Sequence, residues 1–256
     1  QSYFIQRMEK YLNGKGRSII GWDEILEGGL APNAAVMSWR GEEGGITAAK
    51  QKHNVVMTPG GWMYFDHTQS EQEDSVTIGG FTTVQKVYSY EPIPAALTAD
   101  EGKYILGAQA NLWTEYIKNP RKVEYMVFPR MSALSEVQWS SKENRNWDSF
   151  EKRLQTQFRR YDLWKANYSK AYFDLQATVQ PAADYKGLTW KLATKQAGAK
   201  ISYLVQKNGQ APAKAWAAYK APIAVQQSLT ITARSVAPNG TMGNAVVQEF
   251  KFNKAT

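Results

Sequence analysis

The stretch Ser18-Ile19-Ile20-Gly21-Trp22-Asp23-Glu24 decides the fold. A short apolar run closes on an aromatic ring and two carboxylates, the form of a buried strand that delivers polar chemistry at its carboxyl end. Working outward, the same grammar recurs. Ala34-Ala35-Val36-Met37-Ser38-Trp39, Asn54-Val55-Val56-Met57-Thr58 and Tyr104-Ile105-Leu106-Gly107-Ala108-Gln109-Ala110 read as three further strands. Upstream, Tyr3, Phe4, Arg7, Met8, Tyr11 and Leu12 mark one helical face that Asn13-Gly14 stops as a C-cap does. Continuous apolar strands separated by helices predict a parallel sheet covered on both faces.

The four strand ends share chemistry. They read Gly21-Trp22-Asp23-Glu24, Ser38-Trp39-Arg40-Gly41, Trp62-Met63-Tyr64-Phe65-Asp66 and Asn111-Leu112-Trp113-Thr114-Glu115. In a (β/α) barrel the carboxyl ends of the strands and their loops form the active face. Rings beside carboxylates suit a pyranose, whose C–H face stacks on an aromatic plane while its hydroxyls donate to acids. Such charge-assisted bonds contribute roughly 1.5–3 kcal/mol each when dry.

Beyond the strands, Asp148 and Glu151 predict a capping box for a helix whose apolar stripe is Phe150, Leu154, Phe158, Tyr161 and Trp164. From about residue 172 the pattern changes to short alternating runs at 201–205, 229–233 and 246–250. Asn208-Gly209, Pro222 and Pro238-Asn239-Gly240 separate them, which predicts a small antiparallel sandwich.

The 256 residues carry a net charge of +8, yet Lys and Arg are scattered, Arg159-Arg160 being the tightest pair in a predicted helix. That distribution reads as a solvated basic face and argues against a nucleic-acid partner. The absence of cysteine excludes disulfides and thiolate metal sites, and no run of about 18 apolar residues suits a membrane span. His53 and His67 lack a second ligand at metal spacing, so no metal or cofactor is expected, and Gly44-Gly45 and Gly79-Gly80 fit turns better than phosphate loops. The chain opens at Gln1 directly in a helical pattern, which reads as a fragment or processed product. Nine Trp and fourteen Tyr suit a protein that stacks on sugars.

Taken with Ile25-Leu26-Glu27-Gly28-Gly29-Leu30, Val87-Tyr88-Ser89-Tyr90-Glu91-Pro92, and Phe128-Pro129-Arg130-Met131-Ser132-Ala133-Leu134-Ser135-Glu136-Val137 with Trp139, the strand ends resemble the family-twenty glycoside hydrolases, the β-N-acetylhexosaminidases. The resemblance runs over residues 1–165 in consistent order, and more faintly over 172–256, where Tyr203 to Ala233 carries it. It implies an α/β fold: the C-terminal half of a (β/α)8 TIM barrel, about strands five to eight, in residues 1–168, then a C-terminal β-sandwich in 172–256.

The resemblance further implies a retaining, exo-acting hydrolase of terminal N-acetylglucosamine or N-acetylgalactosamine. In its substrate-assisted catalysis the sugar's own acetamido oxygen attacks the anomeric carbon. Trp22, Trp39 and Trp113 match the walls of the sugar pocket, Tyr64 the hydroxyl that steadies the oxazolinium, and Asp66 and Glu115 the acids that hold outer hydroxyls. Either Phe81 or Trp62 could serve as a fourth wall. The family's acid pair sits in His-x-Gly-Gly-Asp-Glu, which this sequence lacks. Asp23-Glu24 matches the strand after the catalytic one and reads instead as a pair that bonds loop backbone and holds Trp22.

The chain alone is therefore expected to be inactive and to need a companion, the N-terminal half of the barrel, since a half barrel leaves two open sheet edges. A non-catalytic sugar-binding fragment is the alternative, and a scaffolding role for the sandwich a third. The resemblance places the protein in the periplasm, at the cell surface or outside the cell.

Overall fold

The computed structural model describes residues 1–70, 76–183, 185–194, 196, 198–211 and 215–252. Two compact units emerge, one built mainly from residues 1–168 and one mainly from 169–256. In the first, α1 (Ser2–Asn13) leads into β1 (Ile20–Trp22), β2 (Ala35–Ser38), α2 (Glu43–Lys50) and β3 (Val55–Met57). The short helices α3 (Gly60–Met63), α4 (Val84–Tyr88) and α5 (Ala99–Gly102) precede β4 (Ile105–Ala108), and α6 (Pro120–Val127), α7 (Arg130–Trp139) and α8 (Trp147–Trp164) follow.

The four strands form one sheet in chain order, β1-β2-β3-β4, every pair parallel. Each strand lies inside the stretch the sequence predicts, trimmed by one or two residues at an end. Coverage differs from the expectation of two hidden faces. Val36, Ser38, Val55 and Met57 are buried on the face that receives α2, whereas Ile20 (51% exposed) and Leu106 (62% exposed) stand open. Alternation along a strand sends neighbours to opposite faces, so one face is core and the other carries apolar side chains into the open.

Close approach of α2 to the sheet explains two residues the sequence reading left to turns. A Cβ at Gly45 would lie 2.4 Å from Met57 Sδ and 3.1 Å from Val55 Cγ1, and one at Gly44 would lie 2.8 Å from Asp23 Cβ. Only glycine lets the helix sit this low. The N-cap residue of α2, Glu42, makes no side-chain cap bond. Instead Ser38, wholly buried at the end of β2, accepts from Gly45 N–H at 2.8 Å and donates to Gly41 C=O at 2.8 Å. One hydroxyl thus satisfies an orphan helix N–H and fixes the loop that follows the strand.

The last helix shows two departures. Its cap is Asn146, which accepts from Ser149 N–H at 2.9 Å, while Asp148 falls in the first turn. Phe150, Leu154, Phe158 and Tyr161 are buried as the stripe predicts, but Trp164 is exposed. The helix ends one residue later at Lys165, in left-handed conformation, so the stripe runs out of core before Trp164.

The second unit contains β5 (Gln176–Pro181), β6 (Leu188–Ala193), β7 (Lys200–Lys207), β8 (Ala217–Ala218), β9 (Ile223–Val225), β10 (Leu229–Val236) and β11 (Val246–Phe250). They make two antiparallel sheets, ordered β11-β10-β7-β8 and β5-β6-β9. Trp190, Leu192 and Val225 from one sheet pack with Leu229, Ile231, Ala233 and Phe250 from the other in a single core. The burial of β10 alternates strictly, as a strand with one core face requires. β5 is exposed along its length, which is why its sequence carries no alternation to read.

Because Ser38 Oγ serves both Gly45 and Gly41, Ser38→Ala should cost about 1–3 kcal/mol, the range for stranding a buried donor. Urea denaturation would measure it; an unchanged midpoint would refute the shared-hydroxyl account.

Candidate active site

The carboxyl ends of β1 to β4 and the loops beyond them gather the residues that the sequence reading singled out. Trp22, the last residue of β1, has its ring centroid 5.9 Å from that of Trp113, in the loop beyond β4. Trp39, just past β2, stacks on Tyr64, just past α3, with centroids 6.2 Å apart and planes 27° apart. The Trp113 and Asn111 side chains both bear on the Tyr64 hydroxyl and favour its ionised form, against its burial. The four rings therefore stand as two packed pairs at the same end of the sheet. Asp66, Glu115 and Trp113 line a common cavity with Val76, Ile78 and Lys122.

Buried polar groups set this arrangement. Asn111 donates to Thr58 Oγ1 at 2.6 Å and accepts from Gln109 Nε2 at 2.9 Å. Its main chain bonds Met63 C=O at 2.8 Å and Phe65 N–H at 2.7 Å, a parallel bridge that carries the β3–β4 pairing past the strand ends to Tyr64. The loop bearing Tyr64 and the loop bearing Trp113 are thus one hydrogen-bonded unit.

Asp23 bonds loop backbone as expected, but the ring that the pair holds is Trp39 on the neighbouring strand and not Trp22. Asp23, 2% exposed, accepts from Trp39 N–H at 3.0 Å, Arg40 N–H at 3.1 Å and Arg40 Nε–H at 2.5 Å. Both Glu24 carboxylate oxygens accept from the Trp39 indole N–H at 3.1 Å. The pair locks the backbone and the ring angle of Trp39, because β1 and β2 are adjacent and parallel and their ends sit side by side.

Electrostatics separates the hydroxyl from the acids. Burial raises the Tyr64 phenol above its ordinary value, against the hydrogen bonds from Trp113 and Asn111, so Tyr64 stays a neutral O–H donor. Burial also raises the Asp66 carboxyl; its own N–H opposes the shift, the Glu115 charge adds to it, and Arg130 opposes it. Asp66 is 7% exposed, and its Oδ1 has no hydrogen-bond partner among the described residues. An unpaired buried carboxylate oxygen costs free energy unless a donor arrives, so this atom is prepared for one. Glu115 is exposed beside it.

Of the two candidates for a further aromatic wall, Trp62 packs against Tyr90 at 5.6 Å, and Phe81 is 42% exposed. His67 Nδ1 bonds Thr82 Oγ1 at 3.2 Å and His53 Nδ1–H donates to Ala34 C=O at 2.8 Å, both structural bonds. Burial lowers the His67 imidazole, helped by the Arg130 and Lys86 charges, so it stays neutral. Among the described residues no three His, Asp or Glu side chains converge as a metal site. No described helix is long and apolar enough to cross a membrane. Sequence reasoning missed Asn111 as the hub of the rim and Arg130 beneath it. Asn111 heads the fourth strand-end motif, and its neighbours of opposite periodicity, Thr58 and Gln109, were its only signal.

Removing Asp23 strands two backbone donors and leaves the solvent-accessible Arg40 with Glu27 alone, so Asp23→Ala should cost about 2–4 kcal/mol and free the Trp39 loop. Thermal melting with hydrogen exchange at Trp39 and Arg40 would report both; a wild-type melt would sink the clamp.

The sequence profile of glycosyl hydrolase family 20, catalytic domain, matches residues 1–142. A β-hexosaminidase of Porphyromonas gingivalis is 39% identical over 247 residues, covering 94% of this chain and 31% of that protein. One from Vibrio furnissii is 32% identical over 139 residues, 53% of this chain and 23% of its own length. Among solved structures, a family 20 exo-β-N-acetylglucosaminidase from Vibrio harveyi in complex with N-acetylglucosamine superposes with TM-score 0.60 at 34% identity. It covers 65% of this chain and 27% of the other. The chain spans about a third or less of the length of these relatives. With its parallel α/β sheet of TIM-barrel type and residues 1–142 matching the catalytic profile, the chain belongs to glycosyl hydrolase family 20.

Proposed function

We propose that this chain supplies the sugar-recognition part of an exo-acting, retaining β-N-acetylhexosaminidase that works by substrate-assisted catalysis. The reading rests on one observation above the rest: two packed ring pairs, Trp22–Trp113 and Trp39–Tyr64, on the rim that carries Asp66, whose buried Oδ1 lacks a donor among the described residues. Trp22, Trp39 and Trp113 box the terminal sugar and its acetamido methyl. Tyr64, held neutral, donates to the acetamido oxygen and keeps that oxygen turned toward the anomeric carbon. As the ring oxygen–carbon unit gains positive charge, the acetamido oxygen closes an oxazolinium, and water later opens it with net retention. Asp66 and Glu115 accept from hydroxyls at the far end of the ring.

The proton for the leaving group comes from outside this chain, since His-x-Gly-Gly-Asp-Glu is absent and Asp23 and Glu24 are engaged at Trp39 and Arg40. Residues 1–168 correspond in this reading to strands five to eight of the barrel and 172–256 to an appended sandwich. The partner that completes the barrel is the polypeptide carrying strands one to four. Terminal N-acetylglucosamine or N-acetylgalactosamine is the substrate, and the periplasm, cell surface or exterior the place of action.

The chain alone should quench or shift its tryptophan fluorescence on titration with N-acetylglucosamine, yet release no nitrophenol from an aryl N-acetyl-β-glucosaminide. Turnover at the rate of a whole enzyme would overturn the division of labour, and absence of any binding would overturn the recognition role.

Asp66→Asn removes charge-assisted acceptors and should weaken binding about 10- to 150-fold. The sign of the pH effect follows from the raised carboxyl. Protonation removes the acceptor, so affinity should fall with decreasing pH beginning above the ordinary aspartate range of about 3.9, and Asp66→Asn should flatten that limb. An acid limb that persists in the variant assigns it to another group.

A further inference from the structure

Among the described residues of the first unit, Arg130 is the one charged side chain with no exposure at all. It is the first residue of α7, where the helix dipole disfavours a cation, and burial penalises the charge again. Neither helix stability nor solvation accounts for a guanidinium there. Its bonds do. Nε donates to Met126 C=O at 3.1 Å, among the unpaired carbonyls that end α6. Nη1 donates to His67 C=O and Thr82 C=O, each at 3.1 Å, and Nη2 to Phe65 C=O at 2.5 Å. The guanidinium plane also lies 4.7 Å from the centre of the Phe65 ring.

The carbonyls of Phe65 and His67 are those on either side of Asp66. We infer that Arg130 is a positioning residue for sugar recognition. By holding the carbonyl of the residue before Asp66 and that of the residue after it, it fixes the backbone that aims the unpaired Oδ1 at a pyranose hydroxyl, without touching the sugar. This inference rests on the reading of Asp66 given above. A lysine could not substitute: its single ammonium cannot reach carbonyls on three separate segments, whereas a planar fork can.

The charge acts in the same direction as the geometry. Among the described residues, the groups facing Asp66 are Glu115 from the loop after β4, the Tyr64 hydroxyl from its own loop, Lys122 of α6 across the cavity, and Arg130 from below. Glu115 disfavours the carboxylate and Arg130 favours it.

Two variants of the full chain separate position from charge. Arg130→Lys keeps the cation and loses the fork; Arg130→Gln loses both. The Asp66 carboxyl is followed by carbon-13 NMR titration of labelled aspartates, assigned with Asp66→Asn, and N-acetylglucosamine binding by fluorescence. Arg130→Lys should leave the Asp66 titration near wild type and weaken binding about tenfold, the loss of one charge-assisted bond in geometry. Arg130→Gln should move the Asp66 titration to higher pH.

Wild-type binding in the lysine variant, or an unmoved Asp66 in the glutamine variant, overturns the inference. So does failure of the lysine variant to fold, which would make Arg130 a core residue only. Should the glutamine variant alone fail to fold, the lysine variant's affinity decides. Should the wild-type chain bind no N-acetylglucosamine, the functional reading falls, and the Asp66 titration decides the positioning claim by itself.

Discussion

Everything in the first unit depends on a ladder of parallel hydrogen bonds that sets Ile20 beside Ala35, Val36 beside Val55 and Met57 beside Ala108. Parallel pairing sends all four carboxyl ends to one rim, so side chains distant in sequence become neighbours without any long-range instruction beyond the register. A slip of one residue would turn Trp22 and Ser38 to the opposite faces of the sheet and dissolve the rim. Because the strands are only three or four residues long, the ladder alone is weak. The low seat of α2 on Gly44 and Gly45 and the Ser38 hydroxyl supply the remaining constraint.

Above the ladder, buried polar groups replace regular structure as the source of order. Asp23 and Arg130 each bond several main-chain groups of another segment, and the Asn111 side chain joins those of Thr58 and Gln109. In a poorly solvated setting such bonds are stiff, since each broken one strands a polar atom. The rim residues can therefore remain in loops, where chemistry is easily varied, while having little freedom to wander.

The sheet was legible because its strands are uninterrupted apolar runs bounded by polar ends, and the motif Gly21 to Glu24 is unusual enough to order the others. Legibility ended where a residue's role depends on what lies across the fold. Glu24 follows Trp22 in sequence, yet its carboxylate serves the Trp39 indole on the next strand. Arg130 sits inside a recognisable run, but nothing in that run announces three carbonyls from 65, 67 and 82. Asn146 outcompetes Asp148 as a cap because the chain turns helical one residue before Asp148. In the second unit β10 and β11 alternate and were visible, β7 showed as an apolar run half-buried along its middle, and β5 has no buried face to print a pattern.

The bond from the Trp39 indole to Glu24 has an electronic side. A carboxylate drawn to an indole N–H pushes electron density back into the ring and deepens the negative potential over its two faces. Sugar C–H bonds carry a small positive charge, so they are attracted to such a face as a weak relative of the cation–π contact. Trp39 is thus a more electron-rich platform than a tryptophan whose N–H meets water, and under the proposed function Glu24 tunes the hold of that ring on a sugar from the ring's edge.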